Sequence, residues 1–466
     1  MSPPELSSTA PVANMAIPST SGEPSRPSPG SGGVGESVIR LMTRLSIEHQ
    51  AVNLSQGFPN EAPPLPVRMA LAKAVLSGVA DSSSFPADEK AVEDFLRTML
   101  QAGKEEGLQH GGSEGIDVLN QYSPPMGRPD LRRAIAKHYS ELYDYEVDPD
   151  LCITVTLGAT EAVASALRTV GRPGDKVVIF EPYHELYPSQ CEVFYLKTEF
   201  VTLRENSKNG SWSFNDEDLE KALAGARILI LNTPHNPTGK VFTKEELTTI
   251  TDLCVKYGVY IITDEIYEHM TYGSSQGKHI VIPKTFPKVA KQTLVCNSVG
   301  KSASATGWRL GWCIMPSQLS ADYRGVHDQL VVMAPHPMQY ATLTYLNLPR
   351  TYFSETLPTR YVGRISKLAQ SLRKSGFEVS VPEGAYYLFA KYRSVKLLGR
   401  MEPWDAAMYM VKEVGVACVP GSNFYGSDSA KTKEATEYLR FAACRSISDI
   451  EQACTILEER FGHDRS

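Results

Sequence analysis

The chain has no C-x-x-C pair, no apolar run of membrane-spanning length and no excess of basic residues. Each absence removes a class of function. Its eight cysteines (152, 191, 254, 296, 313, 418, 444 and 454) are scattered, most of them in apolar stretches. That spacing argues against a disulfide framework or a zinc site and for buried thiols in a reducing compartment, so no metal is expected. Without roughly 20 consecutive apolar residues, no membrane span is expected. With 47 Lys+Arg against 53 Asp+Glu, the net charge of −6 leaves no electrostatic footprint for nucleic acid. No G-x-G-x-x-G opens a helix after a strand, which disfavours a nicotinamide enzyme. No internal repeat is present.

Residues 1–35 lack periodic apolar positions and are rich in Ser, Pro and Gly, with Arg26 their only arginine. Such a composition does not bury enough surface to fold. It contains neither the apolar segment of a secretory signal nor the Arg-rich pattern of a transit peptide. A disordered tail on a cytoplasmic protein is the expectation, with an organellar address left open.

What remains is a globular composition, 42% apolar and 21% charged, long enough for roughly two or three domains. Val38 to His49 and Pro66 to Val79 read as helices. Residues 81–117 are acidic and loop-like at both ends and read as an insertion: a substrate lid or a solvated loop. From Leu151 the pattern alternates. Strands are predicted at Leu151–Leu157, Lys176–Phe180, Arg227–Leu231, Val259–Thr263 and Thr293–Cys296. Helices are predicted at Thr160–Val170 and from the capping box Thr243-Lys-Glu-Glu246 to Tyr257. This predicts an α/β fold, a mostly parallel central sheet covered by helices on both faces. After Tyr340 a smaller α+β domain is expected, with a helix over Tyr361–Ser375, strands at Glu383–Phe389 and before Phe441, and a final helix. The expected plan is a tail (1–35), an N-terminal arm that also forms part of the small domain (36–80), the insertion (81–117), a large domain (118–340) and a small C-terminal domain (341–466).

Ligands in such sheets bind beyond the carboxyl ends of the strands. Distinctive residues fall at those ends. Gly158-Ala159-Thr160 joins a strand to a helix and offers backbone N–H groups to an anion, or is a plain tight turn. Asn232 to Gly239 is a loop fixed by two prolines and a glycine, with Asn236 placed to hydrogen-bond a ligand. Asp264 ends a buried strand, where a carboxylate needs a cationic partner or caps a helix. Tyr267 follows three residues later. Lys301 sits among small residues in Ser298-Val-Gly-Lys301-Ser-Ala-Ser-Ala-Thr-Gly-Trp-Arg309, either a carbonyl-directed nucleophile or a surface turn. Arg309 suits a phosphate, and Ser298 adds a hydroxyl. Arg440 ends a strand of the small domain, as a carboxylate clamp or a surface ion pair. Together these groups are what pyridoxal phosphate needs to act as an electron sink.

The chain resembles the fold-type I, pyridoxal-phosphate-dependent class I/II aminotransferases, in particular the kynurenine, glutamine, aromatic and aspartate aminotransferase-like branch. The resemblance runs from about Val38 to the C-terminus, apart from the insertion. It rests on Gln56-Gly-Phe-Pro59, Asn120-Gln-Tyr-Ser-Pro-Pro-Met-Gly127, Gly158-Ala-Thr-Glu161, Asn232 to Gly239, Asp264-Glu-Ile-Tyr267, Ser298 to Gly311 and Tyr438-Leu-Arg-Phe441. It implies transfer of an amino group from an L-amino acid to a 2-oxo acid by a ping-pong mechanism, through a Schiff base on Lys301. A lyase or cyclase acting at the β or γ carbon is the alternative on the same fold. The resemblance further implies that Asp264 holds the pyridine nitrogen protonated, and that Asn236 and Tyr267 bond the phenolic oxygen. Ala159, Thr160, Ser298 and Arg309 would bind the phosphate. Tyr122 would reach the cofactor of a partner subunit, so a homodimer is implied. Arg440, with the backbone of Gly57 nearby, would clamp the substrate carboxylate. One departure stands out. In Glu181-Pro-Tyr-His184-Glu-Leu-Tyr187, a histidine falls where an aromatic residue usually stacks on the cofactor. His184 is either a simple replacement or an added acid/base group.

Overall fold

The computed structural model describes residues 37–77, 94, 97 and 118–462. The expected disordered tail lies outside the described residues, as does the insertion apart from positions 94 and 97.

Seven strands form the central sheet: β1 (Ile153–Thr156), β2 (Lys176–Glu181), β3 (Lys197–Thr202), β4 (Ile228–Asn232), β5 (Tyr260–Asp264), β6 (Thr293–Ser298) and β7 (Gly311–Ile314). Their order is β1-β7-β6-β5-β4-β2-β3. Only β7 runs against its neighbours, β1 and β6; the other pairs are parallel. The sheet is therefore mostly parallel, as expected. β4 and β6 are buried along their whole length, because helices cover both faces; the apolar runs Ile228–Leu231 and Leu294–Cys296 mark them in the sequence, and each strand ends on polar residues, Asn232 in β4 and Asn297-Ser298 in β6.

Two strands go beyond the sequence reading. β3 lies at the sheet edge, and its Lys-Thr-Glu-Phe-Val-Thr pattern is largely solvated. β7 is four residues long and follows directly on the lysine segment, so no separate periodicity marks it. The helix after β1 spans Gly158–Val170, starting two residues earlier than expected because Gly158 adopts a left-handed φ of 74° and turns the chain straight out of the strand. The predicted capping box opens helix Lys244–Tyr257, with Thr243 and Glu246 bonding reciprocally. Such a cap stabilises a helix by about 1 kcal/mol.

A smaller sheet of β8 (Tyr387–Lys391), β9 (Val419–Pro420) and β10 (Tyr438–Ala442) pairs antiparallel in the order β8-β10-β9. Helices Leu357–Lys374 and Ile447–Phe461 pack beside it. The N-terminal segment joins this body. Helix Val38–Glu48 buries Met42 and Leu45 there, and Val52–Asn53 pairs in parallel with Val416–Ala417. The backbone N–H of Ala442 donates to the Leu54 carbonyl at 2.8 Å. This bond lays Ser55, Gln56 and Gly57 alongside the strand that carries Arg440, some 385 residues later in the chain.

Candidate active site

The register of the parallel strands sets the site. Asn232 pairs with Asp264 and Asp264 with Cys296, so the carboxyl ends of β4, β5 and β6 stand side by side. Asn232 fastens the loop after its own strand. Its Nδ2 donates to the Asp264 carbonyl at 2.9 Å, and its Oδ1 accepts from the Asn236 backbone N–H at 2.8 Å. The held loop presents Asn236, whose Oδ1 accepts from Arg440 Nη1 at 3.1 Å. Its Nδ2, fully buried, has no hydrogen-bond partner among the described residues. An amide donor left in this state costs about 1–3 kcal/mol, which a ligand acceptor would recover.

Arg440 is 1% exposed, which rules out the surface ion pair. Its Nη2 donates to the Ser55 carbonyl at 2.7 Å, while its Nε is unpartnered. Its guanidinium lies 4.6 Å from the Tyr387 ring centroid and 4.8 Å from that of Phe424. No acidic side chain of the described residues pairs with it. A buried cation held by carbonyls and aromatic faces is poised for an anion from outside.

Lys301 is half-buried, not a surface turn. Its Nζ donates to the Gly57 carbonyl at 2.5 Å, a contact between the large domain and the N-terminal segment. Burial lowers its ammonium to about 8, and the nearby Arg309 and Arg440 act in the same direction. A sizeable fraction of neutral amine is therefore present near neutrality, as a nucleophile toward a carbonyl requires.

Asp264 is buried and caps no helix: a turn follows it. Its Oδ2 accepts from the Tyr187 hydroxyl at 2.7 Å. Burial nonetheless raises its carboxyl above the ordinary range, against Tyr187 and Lys301. A carboxylate in this setting gains from a protonated nitrogen beside it. Tyr267 does not bond Asp264; its hydroxyl meets that of Tyr387 at 2.8 Å. His184 Nδ1 accepts from the Leu186 N–H at 3.1 Å. Burial, then Arg440 and Lys301, depress its pKa to about 3. At working pH the ring is a neutral plane, which favours simple replacement of an aromatic over the acid/base role.

The third cluster is the anion cup. Arg309 Nη2 donates to Thr160 Oγ1 at 3.4 Å, and Ser298 Oγ accepts from the Gly300 N–H at 3.1 Å. Ala159 stands between Gly158 and Thr160 at the helix start. A Cβ on Gly158 would sit 2.8 Å from Arg309 Nη2, so the cradle exists because that residue has no side chain. Tyr122 does not join these groups within the chain; it is 80% exposed.

Three tyrosines escaped the sequence reading as site residues. Tyr187 bonds Asp264, and its signal was its place three residues after His184. Tyr386 donates to the Gly57 carbonyl at 3.2 Å. Tyr387 bonds Tyr267 and supports Arg440, and a Cβ on Gly57 would lie 1.9 Å from its hydroxyl. Only the fold brings the Tyr386-Tyr387 pair to the site.

The sequence pattern of the aminotransferase class I and II family matches residues 91–457. A protein of Saccharomyces cerevisiae called probable kynurenine–oxoglutarate transaminase is 33% identical over 359 residues, covering 72% of this chain and 79% of its own length. The kynurenine–oxoglutarate transaminase of Dictyostelium discoideum is 30% identical over 457 residues, covering 92% and 95%. Among solved structures, N-succinyldiaminopimelate aminotransferase from Mycobacterium tuberculosis superposes with a TM-score of 0.77 at 27% identity, over 91% of this chain and 97% of that one. YbdL from Escherichia coli, described as having a methionine aminotransferase function, gives 0.76 at 26% identity, over 91% and 97%.

Proposed function

We propose that this chain, which belongs to the aminotransferase class I and II family and therefore transfers amino groups with pyridoxal phosphate, divides that work between the residues assembled above. The reading rests on one observation: Lys301, Asp264, Asn236 and Arg440 converge on one site, with the Asn236 amide donor and the Arg440 Nε both unpartnered. The residues fit the cofactor on three counts. The buried Asn236 Nδ2 suits its phenolic oxygen, the Gly158 cradle under Arg309 suits its phosphate, and the buried Asp264 carboxyl suits its ring nitrogen.

Pyridoxal phosphate held by these residues would supply an electron sink for the pair released at the substrate's α-carbon. The protein's own groups do the rest. Arg440 binds the substrate α-carboxylate and so fixes the orientation of the α-carbon. Lys301 Nζ, with its lowered pKa, takes the proton from that carbon and returns it on the other side of the transfer. Asp264, steadied by Tyr187, holds the proton on the ring nitrogen. Asn236 and Tyr267 donate to the phenolic oxygen. Thr160, Ser298, Arg309 and the N–H groups around Ala159 hold the phosphate. His184 supplies a neutral stacking face. Tyr122, exposed in this chain, is assigned to the partner's site in a homodimer.

The inferred donor is a large aromatic or apolar L-amino acid of the kynurenine kind, and the inferred acceptor is a 2-oxo acid such as 2-oxoglutarate. The names of the relatives and the tyrosines around Arg440 support this choice. A half-reaction tests the function. With an amino acid and no oxo acid, absorbance should report one conversion of bound cofactor per site and then stop. Repeated turnover releasing ammonia or a leaving group would instead establish the lyase or cyclase alternative.

A further inference from the structure

Behind the turn that follows Asp264 lies a buried cluster with no part in the scheme above. His138, from helix Pro129–Tyr143, meets Glu268 and His269, from the turn itself. The three are 4%, 4% and 8% exposed. His138 Nε2 lies 3.4 Å from His269 Nε2, and His269 Nε2 lies 3.4 Å from Glu268 Oε1. All three ligand atoms fall within 4.8 Å of one another.

We propose that His138 Nε2, His269 Nε2 and the Glu268 carboxylate form a binding site for a divalent transition cation of the zinc type, with water as the fourth ligand.

The spacing matches. A tetrahedral zinc ion with bonds of about 2.0–2.1 Å sets its ligand atoms roughly 3.3–3.4 Å apart. A direct hydrogen bond between the two rings explains less. At 3.4 Å it is long, and it does nothing for Glu268 Oε2, which is buried without a donor in hydrogen-bonding alignment. Burial raises the Glu268 carboxyl to about 7, against the pull of His279, Tyr143 and Asn297; the Tyr143 hydroxyl aligns with His269 Nδ1, at 3.3 Å. With the ring proton on Nδ1, that nitrogen donates to the hydroxyl and the Nε2 lone pair is left for a metal, the usual outer support of a metal-bound histidine. The other support is Asn297, whose Nδ2 donates to Glu268 Oε1 at 2.7 Å and to the Tyr139 hydroxyl at 3.0 Å. A surface cavity of about 480 Å³ reaches the outer neighbours of the cluster, Tyr143 beside His269 and His279 beside Glu265, while the three ligands themselves are buried behind them.

The ion would tie helix Pro129–Tyr143 to the turn that positions Asp264 and Tyr267. Its role is structural, and the inference stands apart from the aminotransferase reading. The full-length protein, stripped with a chelator and titrated with cobalt(II), decides the matter, because cobalt bound by two imidazoles and a carboxylate in four-coordinate geometry absorbs strongly in the visible. One equivalent per chain with that spectrum is expected, displaced by zinc, together with a rise in thermal midpoint on adding zinc. His138→Asn and Glu268→Gln should each weaken binding by roughly 100-fold or more. No bound metal, a faint six-coordinate spectrum, or binding unchanged in a folded variant would overturn the proposal. If neither variant folds, the stoichiometry and spectrum of the unsubstituted protein decide between the same two outcomes.

Discussion

The two sides of the site are built differently. On the large-domain side, Asn232, Asp264, Ser298 and Lys301 are held by the register of neighbouring parallel strands and the short loops that leave them. On the opposite side, Gly57, Tyr386, Tyr387 and Arg440 come from the two ends of the chain and reach the first group through only a few bonds. Lys301 donates to Gly57, Arg440 to Asn236, and Tyr267 and Tyr387 share a hydrogen bond. The first side is a rigid frame suited to chemistry. The second is a clamp whose position depends on those few bonds. Substitutions in the frame should therefore lower kcat, and substitutions in the clamp should raise KM.

The largest effect is expected at Lys301. Lys301→Ala should lower kcat by about 10⁴-fold or more, since it removes both nucleophile and proton carrier. Borohydride should no longer trap the cofactor on the protein, while far-UV circular dichroism stays unchanged. Retained turnover would place the chemistry elsewhere. Asp264→Asn comes next, with kcat lowered by roughly 10²–10³-fold and KM little changed.

Arg440 tests the clamp. Arg440→Lys keeps the charge but loses the planar fork, and the buried pairing with a carboxylate is worth about 2–5 kcal/mol. kcat/KM should fall by roughly 30- to 5000-fold for amino acid and oxo acid alike, mostly through KM. A fall in kcat at constant KM would erase the distinction between the two sides.

That distinction also explains what the sequence could tell. The frame was legible because each of its groups sits within a few residues of a strand end and of prolines or glycines that mark the loop. Arg440 was legible as a lone cation in an apolar strand, although it stands in the middle of that strand, Tyr438–Ala442, and not at its end as expected. Tyr386 and Tyr387 were not, because nothing local distinguishes two tyrosines in an apolar strand from core. The edge strand β3 was hidden by its solvated, charged composition. The His138, Glu268 and His269 cluster was hidden for a third reason: His138 and His269 stand 131 positions apart, which leaves no ligand spacing to read.

Lys301 also makes a pH test. Its folded pKa, about 8, lies below its ordinary 10.5 because burial disfavours the ammonium. Neutral amine is the reactive form. Capture of pyridoxal phosphate by the stripped protein should therefore speed up with pH below about 8 and level off above it. A rate still climbing through pH 10 would mean that the amine is not desolvated, and the frame would lose its main chemical feature.

The smallest effect falls on the seam between the two sides. In the 2.8 Å contact between Tyr267 and Tyr387, one hydroxyl must donate to the other. If Tyr387 donates, the proton of Tyr267 stays free to point at the ligand, and the incoming bond makes Tyr267 a stronger donor. If Tyr267 donates, it has nothing left to offer. Burial raises the Tyr387 hydroxyl to about 12, but Arg440 lies against it and pulls the other way, which favours Tyr387 as the donor over the fully buried Tyr267. The first arrangement is the expected one. Tyr387→Phe should then lower kcat/KM by about 2- to 10-fold, the range of one neutral hydrogen bond. It should also raise the pH midpoint of the bound cofactor's absorbance change, because a weaker Tyr267 stabilises the phenolate less. Tyr267→Phe should shift the midpoint further in the same direction, and the double variant should match Tyr267→Phe alone, since Tyr387 acts through Tyr267. Strictly additive shifts would show that Tyr387 reaches the cofactor by another route, and that clamp and frame are not joined at this bond.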